Sequence, residues 1–412
     1  MEEHAPLIDR TPALLLKGYT WLPDLFRDGG GAPAVRTRLL GREAVALRGP
    51  DAVRFVYDDA NVRRAGALPE PVLSTLIGHG AVQTLDGEEH RVRKALFSGL
   101  LHSRSGLDEL VRRCTEAWRG AAEGPGRGSS FTVFDEAALA LARGAGAWAG
   151  VPLTPPLERG LARDLVAMVD AFATAGPRHW RGRRARGLWE RRLARLVEEV
   201  RDGALPAPPG SAVAAVAAHR DRDGSLLAPR TAAVELLNIL RPTVATCWYT
   251  AFAAHALARW PHHRERLRDA PGGFAPAFAQ EVRRFYPFAP FIGGIARADR
   301  VWRGVRVPEG ALVLLDLYGQ NRDPRLWSAP HSFDPDRFLH GPVDPDVLVP
   351  QGGGDERTGH RCPGEDVVAA LLGALSAELG RIRYEVPDQD MRIPLHRIPT
   401  RPRSGMVISG VR

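Results

Sequence analysis

Cys362 stands in a setting that packing alone does not explain. It lies in Pro350-Gln351-Gly352-Gly353-Gly354-Asp355-Glu356-Arg357-Thr358-Gly359-His360-Arg361-Cys362-Pro363-Gly364-Glu365, directly before an apolar helix expected from Val367 to Leu379. A cysteine at a helix N-terminus meets the positive end of the dipole and unpaired backbone N–H groups, and both favour the thiolate. Glycines let the backbone approach closely. A thiolate so placed can ligate haem iron, where its electron density favours O–O bond cleavage. The bland alternative is a free thiol in a surface loop. Cys114 and Cys247 sit within helical patterns, where a small buried hydrophobe suffices.

A second constellation is Arg241-Pro242, within Glu235-Leu236-Leu237-Asn238-Ile239-Leu240-Arg241-Pro242-Thr243-Val244-Ala245-Thr246. Proline inside a helix removes a hydrogen bond and costs roughly 3 kcal/mol. An arginine among leucines must find a partner or lose solvation. A planar guanidinium binds a carboxylate through two parallel charge-assisted hydrogen bonds, so the pair reads as a carboxylate site. The alternative is a kinked helix whose Arg241 pairs with a carboxylate of the protein itself.

The elements that must hold these residues are mostly helical. Apolar residues recur at three- and four-residue steps over Leu107 to Trp118, Leu153 to Ala175, Trp189 to Val200 and Arg230 to Trp260. Val35 to Leu40 and Glu43 to Leu47 read as a hairpin around Gly41-Arg42, Val301 to Val307 alternates around Gly304, and Ala311 to Leu317 follows. Ile382 to Val386 and Met406 to Ile408 also look extended. Gly124 to Ser130 and Gly203 to Gly210 are linkers too short for interdomain tethers. The expected fold is mainly α with small peripheral β-sheets, as a single domain over residues 1–412.

Composition agrees: 44% apolar and 25% charged residues suit a globular protein with ample interior. Three widely spaced cysteines offer neither a disulfide framework nor zinc spacing, and a reducing cytoplasm fits them. The N-terminus carries Glu2, Glu3, Asp9 and Arg10, so neither a signal peptide nor a membrane anchor is expected. The apolar run from Leu236 to Ala258 is broken by Asn238, Arg241, Pro242, Thr243 and His255 and reads as a buried helix. Net charge is +8, densest from Arg178 to Arg195. No nucleic-acid motif accompanies that run, and Leu188, Trp189, Leu193 and Leu196 at helical spacing make it a solvated helix face.

Gly359-His360-Arg361-Cys362-Pro363-Gly364 resembles the cysteine loop of cytochromes P-450. Glu281-Val282-Arg283-Arg284 resembles that superfamily's E-x-x-R helix, and Phe333-Asp334-Pro335-Asp336-Arg337-Phe338 the segment whose arginine completes an ion network with Glu281 and Arg284. The aromatic residue usual upstream of the cysteine is replaced by Gly352-Gly353-Gly354-Asp355. In that loop, in Val282 to Phe291 and in Leu312 to Trp327, the chain is similar to bacterial fatty-acid peroxygenases, over about Ala13 to Val411.

The resemblance implies haem b on Cys362, with His90, Arg93, Lys94 and His360 at propionate-binding positions. The acid–alcohol pair of oxygen-using P-450s is absent, since Thr243 and Thr246 lack a neighbouring carboxylate. It further implies that Arg241, with Pro242, holds a fatty-acid carboxylate that moves protons itself, hydrogen peroxide replacing oxygen and a redox partner. Gln83 would lie near iron, as in the hydroxylating members. Phe172, Phe288, Phe291, Leu76 and Ile77 would line the acyl channel. The expected reaction is hydroxylation at the alpha or beta carbon, with decarboxylation as a companion route. A reductase-dependent monooxygenase and a non-oxidising haem sensor are the competing readings.

Overall fold

The computed structural model describes residues 8–122 and 130–412. The chain opens with helices α1 (Thr11–Lys17) and α2 (Trp21–Asp28), the hairpin β1 (Ala34–Leu39) and β2 (Arg42–Leu47), then α3 (Pro50–Tyr57), β3 (Val62–Arg63) and α4 (Glu70–Val72). Helices follow: α5 (Gly87–Leu101), α6 (Arg104–Ala122), then β4 (Phe131–Thr132), α7 (Val133–Ala149), α8 (Pro155–Asp170), α9 (Pro177–Arg201) and α10 (Ala212–Ala218). The central α11 (Pro229–Arg259) leads to α12 (His262–Asp269) and α13 (Pro271–Phe285). Strands β5 (Phe291–Ala296), β6 (Arg300–Trp302), β7 (Val305–Val307) and β8 (Leu312–Asp316) precede α14 (Leu317–Gln320), α15 (Glu365–Arg381) and β9 (Val407–Ile408).

α11 is apolar nearly all round, the signature of a helix buried on every side. It packs against α7, α8, α9 and α15, so whatever it presents is held rigidly. Gly144 on α7 shows how close the helices lie. A Cβ there would stand 2.6 Å from Cys114 Sγ, which places Cys114 in a helix contact and leaves it no chemistry. Cys247 is likewise fully buried in α11.

One sheet orders its strands β1-β2-β8-β5-β3, with β1 and β2 antiparallel in the register Ala34 to Leu47. The turn between them uses Leu40 at φ 51° and Gly41 at φ 74°, the left-handed pair that matches the twist of a hairpin. β6 and β7 form a second hairpin around Arg303 and Gly304. At the C-terminus the expectation of two strands is half met: β9 pairs with β4, whereas 382–386 contributes one bridge, Glu385 to Ser409. The helix expected from Leu153 to Ala175 stops at Asp170, because Gly176 and Pro177 must start α9 anew. The linker expected from Gly124 lies outside the described residues but for Ser130.

The arginine run is α9, and one member departs from the solvated face. Arg186 is buried, with Nη1 and Nη2 donating to the Leu76 and Ile77 carbonyls at 2.8 Å and Nε to Glu190 at 2.7 Å. Among the described residues, no helix is long and apolar enough to cross a membrane.

Candidate active site

Cys362 sits three residues before Glu365, the first residue of α15, as the glycine-rich segment suggested. The glycines are required by α3. A Cβ on Gly352 would stand 2.0 Å from Tyr57 Oη, and one on Gly353 2.1 Å from Val53 Cγ1. Tyr57 therefore fills, from another element, the space beside the loop that the missing upstream aromatic leaves open.

Burial pushes the Cys362 thiol up, although the Gly364 backbone, the positive charge of Lys94 and the Gln351 amide all pull it down. A bound metal cation would favour the thiolate further. Gln351 Nε2 donates to Cys362 Sγ at 3.4 Å. Gln351 Oε1 accepts from Arg283 Nη2 at 2.9 Å, and Arg283 also pairs with Glu365, whose other oxygen takes Arg361 Nε at 2.8 Å. Sequence reasoning missed Gln351 and Arg283, although Arg283 lies inside the E-x-x-R motif.

The three residues of the expected ion network lie together. Glu281 accepts two bonds from Arg284 at 2.6 and 2.7 Å, a third from Asp334 N at 2.8 Å, and pairs with Arg337 Nε at 3.2 Å. Arg284 reaches on to the carbonyls of Asn321, Pro330 and Ser332. Glu281 and Arg284 are fully buried, so this cluster ties α13 to the segment that ends at the cysteine loop.

On the opposite side of Cys362's loop, the His90 and His360 rings stack at 3.8 Å. Burial and His360 hold the His90 imidazole at about 3, and burial lowers His360 also. An imidazole held at about 3 is neutral near pH 7, so His90 offers an N–H group. Lys94 supplies positive charge, pushed down to about 8 by burial, and its Nζ donates to the Arg361 carbonyl. Arg93 Nη1 bonds Glu235 at 2.8 Å and the Gly80 carbonyl at 3.3 Å, and its Nε bonds Asp221 at 3.1 Å, so it also braces α5 against α11. Arg64, a buried cation that sequence reasoning passed over, donates to the Val56 and Gly293 carbonyls.

On α11 the helix runs through Pro242. Proline brings no N–H, so the Asn238 carbonyl lacks its helical donor. Arg241 is buried, and its bond to Asn238 Oδ1 at 3.2 Å leaves Nε without a partner. Among the described residues no carboxylate pairs with it, which removes the alternative of a protein counter-ion. Burial and the nearby Arg186 push its guanidinium down to about 9, so it is charged at pH 7 and short of an anion. Gln83 joins the same group, its Oε1 accepting from Asn238 Nδ2 at 3.4 Å, while Glu235 anchors the turn by accepting from Val82 N at 2.9 Å.

The expected lining residues divide. Phe288 lies 5.1 Å from the Tyr249 ring of α11, and Leu76 packs on the same core. Ile77 ends the segment held by Arg186, and Phe172 stands in the turn between α8 and α9. Phe291 is set apart, edge-on to Trp21 at 5.9 Å in the cluster beneath α2.

The donor set fits a porphyrin: a sulfur with a side-chain N–H aimed at it, a stacked histidine pair of which His360 Nε2 lies 3.7 Å from Asp86 Oδ1, and an adjacent lysine. Comparison agrees. A family model described as Cytochrome P450 matches residues 274–374. The P-450 monooxygenase DoxA of Streptomyces sp. (strain C5) is 33% identical over 136 residues, which is 30% of this chain and 28% of that protein. Carnosic acid synthase of Rosmarinus officinalis is 31% identical over 26% of this chain and 21% of that protein. These matches span less than a third of the curated relatives' length.

Solved structures align throughout. Cytochrome P450SP alpha (CYP152B1) with (R)-ibuprophen has a TM-score of 0.94 at 41% identity, covering 98% of this chain and 99% of that one. A variant of P450 OleT with arachidonic acid gives 0.94 at 33%, covering 98% and 96%. P450EX alpha (CYP152N1) with myristic acid gives 0.94 at 35%, covering 100% and 99%. The chain belongs to the cytochrome P450 family and, within it, to the CYP152 fatty-acid peroxygenases.

Proposed function

We propose that this protein is a haem-thiolate peroxygenase that uses hydrogen peroxide to hydroxylate a fatty acid at the alpha or beta carbon, with decarboxylation to a terminal alkene as a second outlet. Arg241 carries the reading: a buried cation on the central helix, without a protein counter-ion among the described residues, beside a proline that frees a carbonyl. A substrate carboxylate satisfies it through two hydrogen bonds. That fatty acids occupy two of the relatives supports the same ligand here.

Cys362 Sγ would hold haem b, which would supply the peroxide chemistry. The chain's own groups do the rest. Arg241 fixes the head group, so the carbons next to the carboxyl are the ones within reach. The held carboxylate accepts the proton of the incoming peroxide and returns it to the departing oxygen, so that R–H and H2O2 become R–OH and H2O. In the second outlet the acid and H2O2 become alkene, CO2 and two waters. Gln83 and Asn238 orient the polar end. Phe288, Leu76, Ile77 and Phe172 enclose the chain, with Phe291 further out. His90, Arg93, Lys94 and His360 would meet the propionates.

The same reading takes residues 1–412 as one haem domain working in the cytoplasm without an obligatory redox partner, and three free cysteines suit that compartment. The test is incubation of the haem-loaded protein with peroxide and saturated fatty acids, with mass spectrometry of the products. Hydroxy acids, or alkenes one carbon shorter, are expected without a reductase. Products that form only with an electron donor and oxygen would replace this reading by the reductase-dependent one.

A further inference from the structure

The exposed face of α9 carries cations that no carboxylate answers. Arg181, Arg183, Arg184, Arg191, Arg192 and Arg195 are exposed, and among the described residues none of them makes an ion pair. Their neighbours Arg178 and Arg186 behave differently, being bound to Asp170 and Glu190. At helical spacing Trp180, Arg184, Arg191 and Arg195 fall in one stripe, and Trp180 is 67% exposed. A solvated face accounts for the arginines. It does not account for a tryptophan left in water at the same stripe.

A second apolar group lies across a short stretch of chain. Leu15 and Leu16 on α1 are 61% and 77% exposed. Just after them, Tyr19 N bonds the Leu395 carbonyl, and Arg178 at the start of α9 bonds the Ile398 carbonyl. The two groups therefore flank the same segment, 395–398. Both adjoin the acyl site: Tyr19 Oη bonds the Phe288 carbonyl, and Phe172 lies in the turn that leads into α9.

We propose that this rim docks on an anionic lipid surface. Arginines meet the lipid phosphates, while Trp180, Leu15 and Leu16 enter the headgroup region. Leucines gain from hydrocarbon and nothing from a sugar–phosphate groove, which favours lipid over nucleic acid. Each cation near an anionic membrane surface is worth about fivefold in affinity. That the docking serves capture of a bilayer-borne substrate rests on the fatty-acid reading; the docking itself does not.

The experiment is co-sedimentation of the haem-loaded protein with vesicles of phosphatidylglycerol and phosphatidylcholine, and with vesicles of phosphatidylcholine alone, at two salt concentrations. Binding is expected only with the anionic lipid, weakened by salt. Arg181→Glu/Arg183→Glu/Arg184→Glu should lose on the order of a hundredfold in affinity, and Leu16→Glu should weaken binding without touching the arginines. Circular dichroism of each variant shows that it is folded. No pelleting of the wild type, equal pelleting on phosphatidylcholine alone, unchanged binding by both variants, or tighter binding to duplex DNA than to the anionic vesicles overturns the proposal. Docking with no peroxide-driven turnover of any fatty acid would instead overturn the proposed reaction and leave the surface standing.

Discussion

Gln351 reaches the Cys362 sulfur with a side-chain N–H, and its orientation is not free. Its oxygen accepts from Arg283, and a guanidinium can only donate, so the amide nitrogen must be the end that faces sulfur. A donor at a ligating sulfur withdraws electron density and sets the iron's potential. Gln351→Leu removes the donor and should move the haem reduction potential to more negative values with a stiffer iron–sulfur stretch in resonance Raman. Gln351→Glu keeps a partner for Arg283 but turns an oxygen to sulfur, so its potential should fall further. Three equal potentials would show that the contact carries no electronic effect. Arg241 belongs to the proposed carboxylate site. Arg241→Ala should keep the thiolate-type carbon monoxide spectrum yet lose on the order of a hundredfold in kcat/KM with fatty acids, measured beside wild type in peroxide. A guanidinium keeps its proton from about pH 6 to 9, so fatty-acid affinity should be level over that range, and Arg241→Gln, which keeps donors but no charge, should weaken it in a spectral titration. Equal affinity of Arg241→Gln and the wild type would contradict the ion pair.

At the level of elements, the helices and the ligand loop were legible because each has a local signature: apolar steps for α6, α8, α9 and α11, and glycines followed by cysteine before α15. What could not be read were contacts between distant segments. The sequence holds Gly352, Gly353 and Gly354 without saying that α3 lies against them, and it holds Arg93 and Arg186 among other cations without showing which carboxylate or carbonyl each meets. The expected strand at 382–386 failed for a related reason: Arg383 exchanges backbone bonds with Arg412 and Glu385 with Ser409, two pairs out of register with each other, so no continuous ladder forms. The α3 contact makes a prediction of its own. Gly353→Ala puts a methyl 2.1 Å from a branch of Val53, which is itself fully buried and cannot swing aside. It should cost about 1–3 kcal/mol of stability and loosen haem retention. Gly353→Ala/Val53→Ala should recover part of that loss in a double-mutant cycle, because the second change makes room for the first. Strictly additive losses would show that the two positions do not touch.

For the whole molecule, burial of two histidines governs how the fold first responds to acid. His255 on α11 bonds the Tyr286 hydroxyl at 2.8 Å, and burial, with the nearby Arg259, lowers its imidazole to about 4. His263 on α12 is lowered to about 4 as well, by burial first and by His262 next. In the unfolded chain both return to about 6.5. Between about pH 6.5 and 4 the unfolded state therefore binds protons that the folded state refuses, and stability present above 6.5 is lost as pH falls through that window. Carboxylates with lowered values in the native state, such as Glu109 at about 2 and Asp355, add their losses only below the ordinary carboxylate range. The first part of the acid transition should thus belong to the histidines. His255→Gln keeps an amide that can meet Tyr286 and removes one titrating ring. Its thermal midpoint, followed by far-ultraviolet circular dichroism of the haem-loaded protein, should fall less between pH 7 and 5 than that of the wild type. Parallel curves over that interval would mean that His255 takes up its proton without opening the fold, and that α11 is less tightly closed around it than its packing indicates.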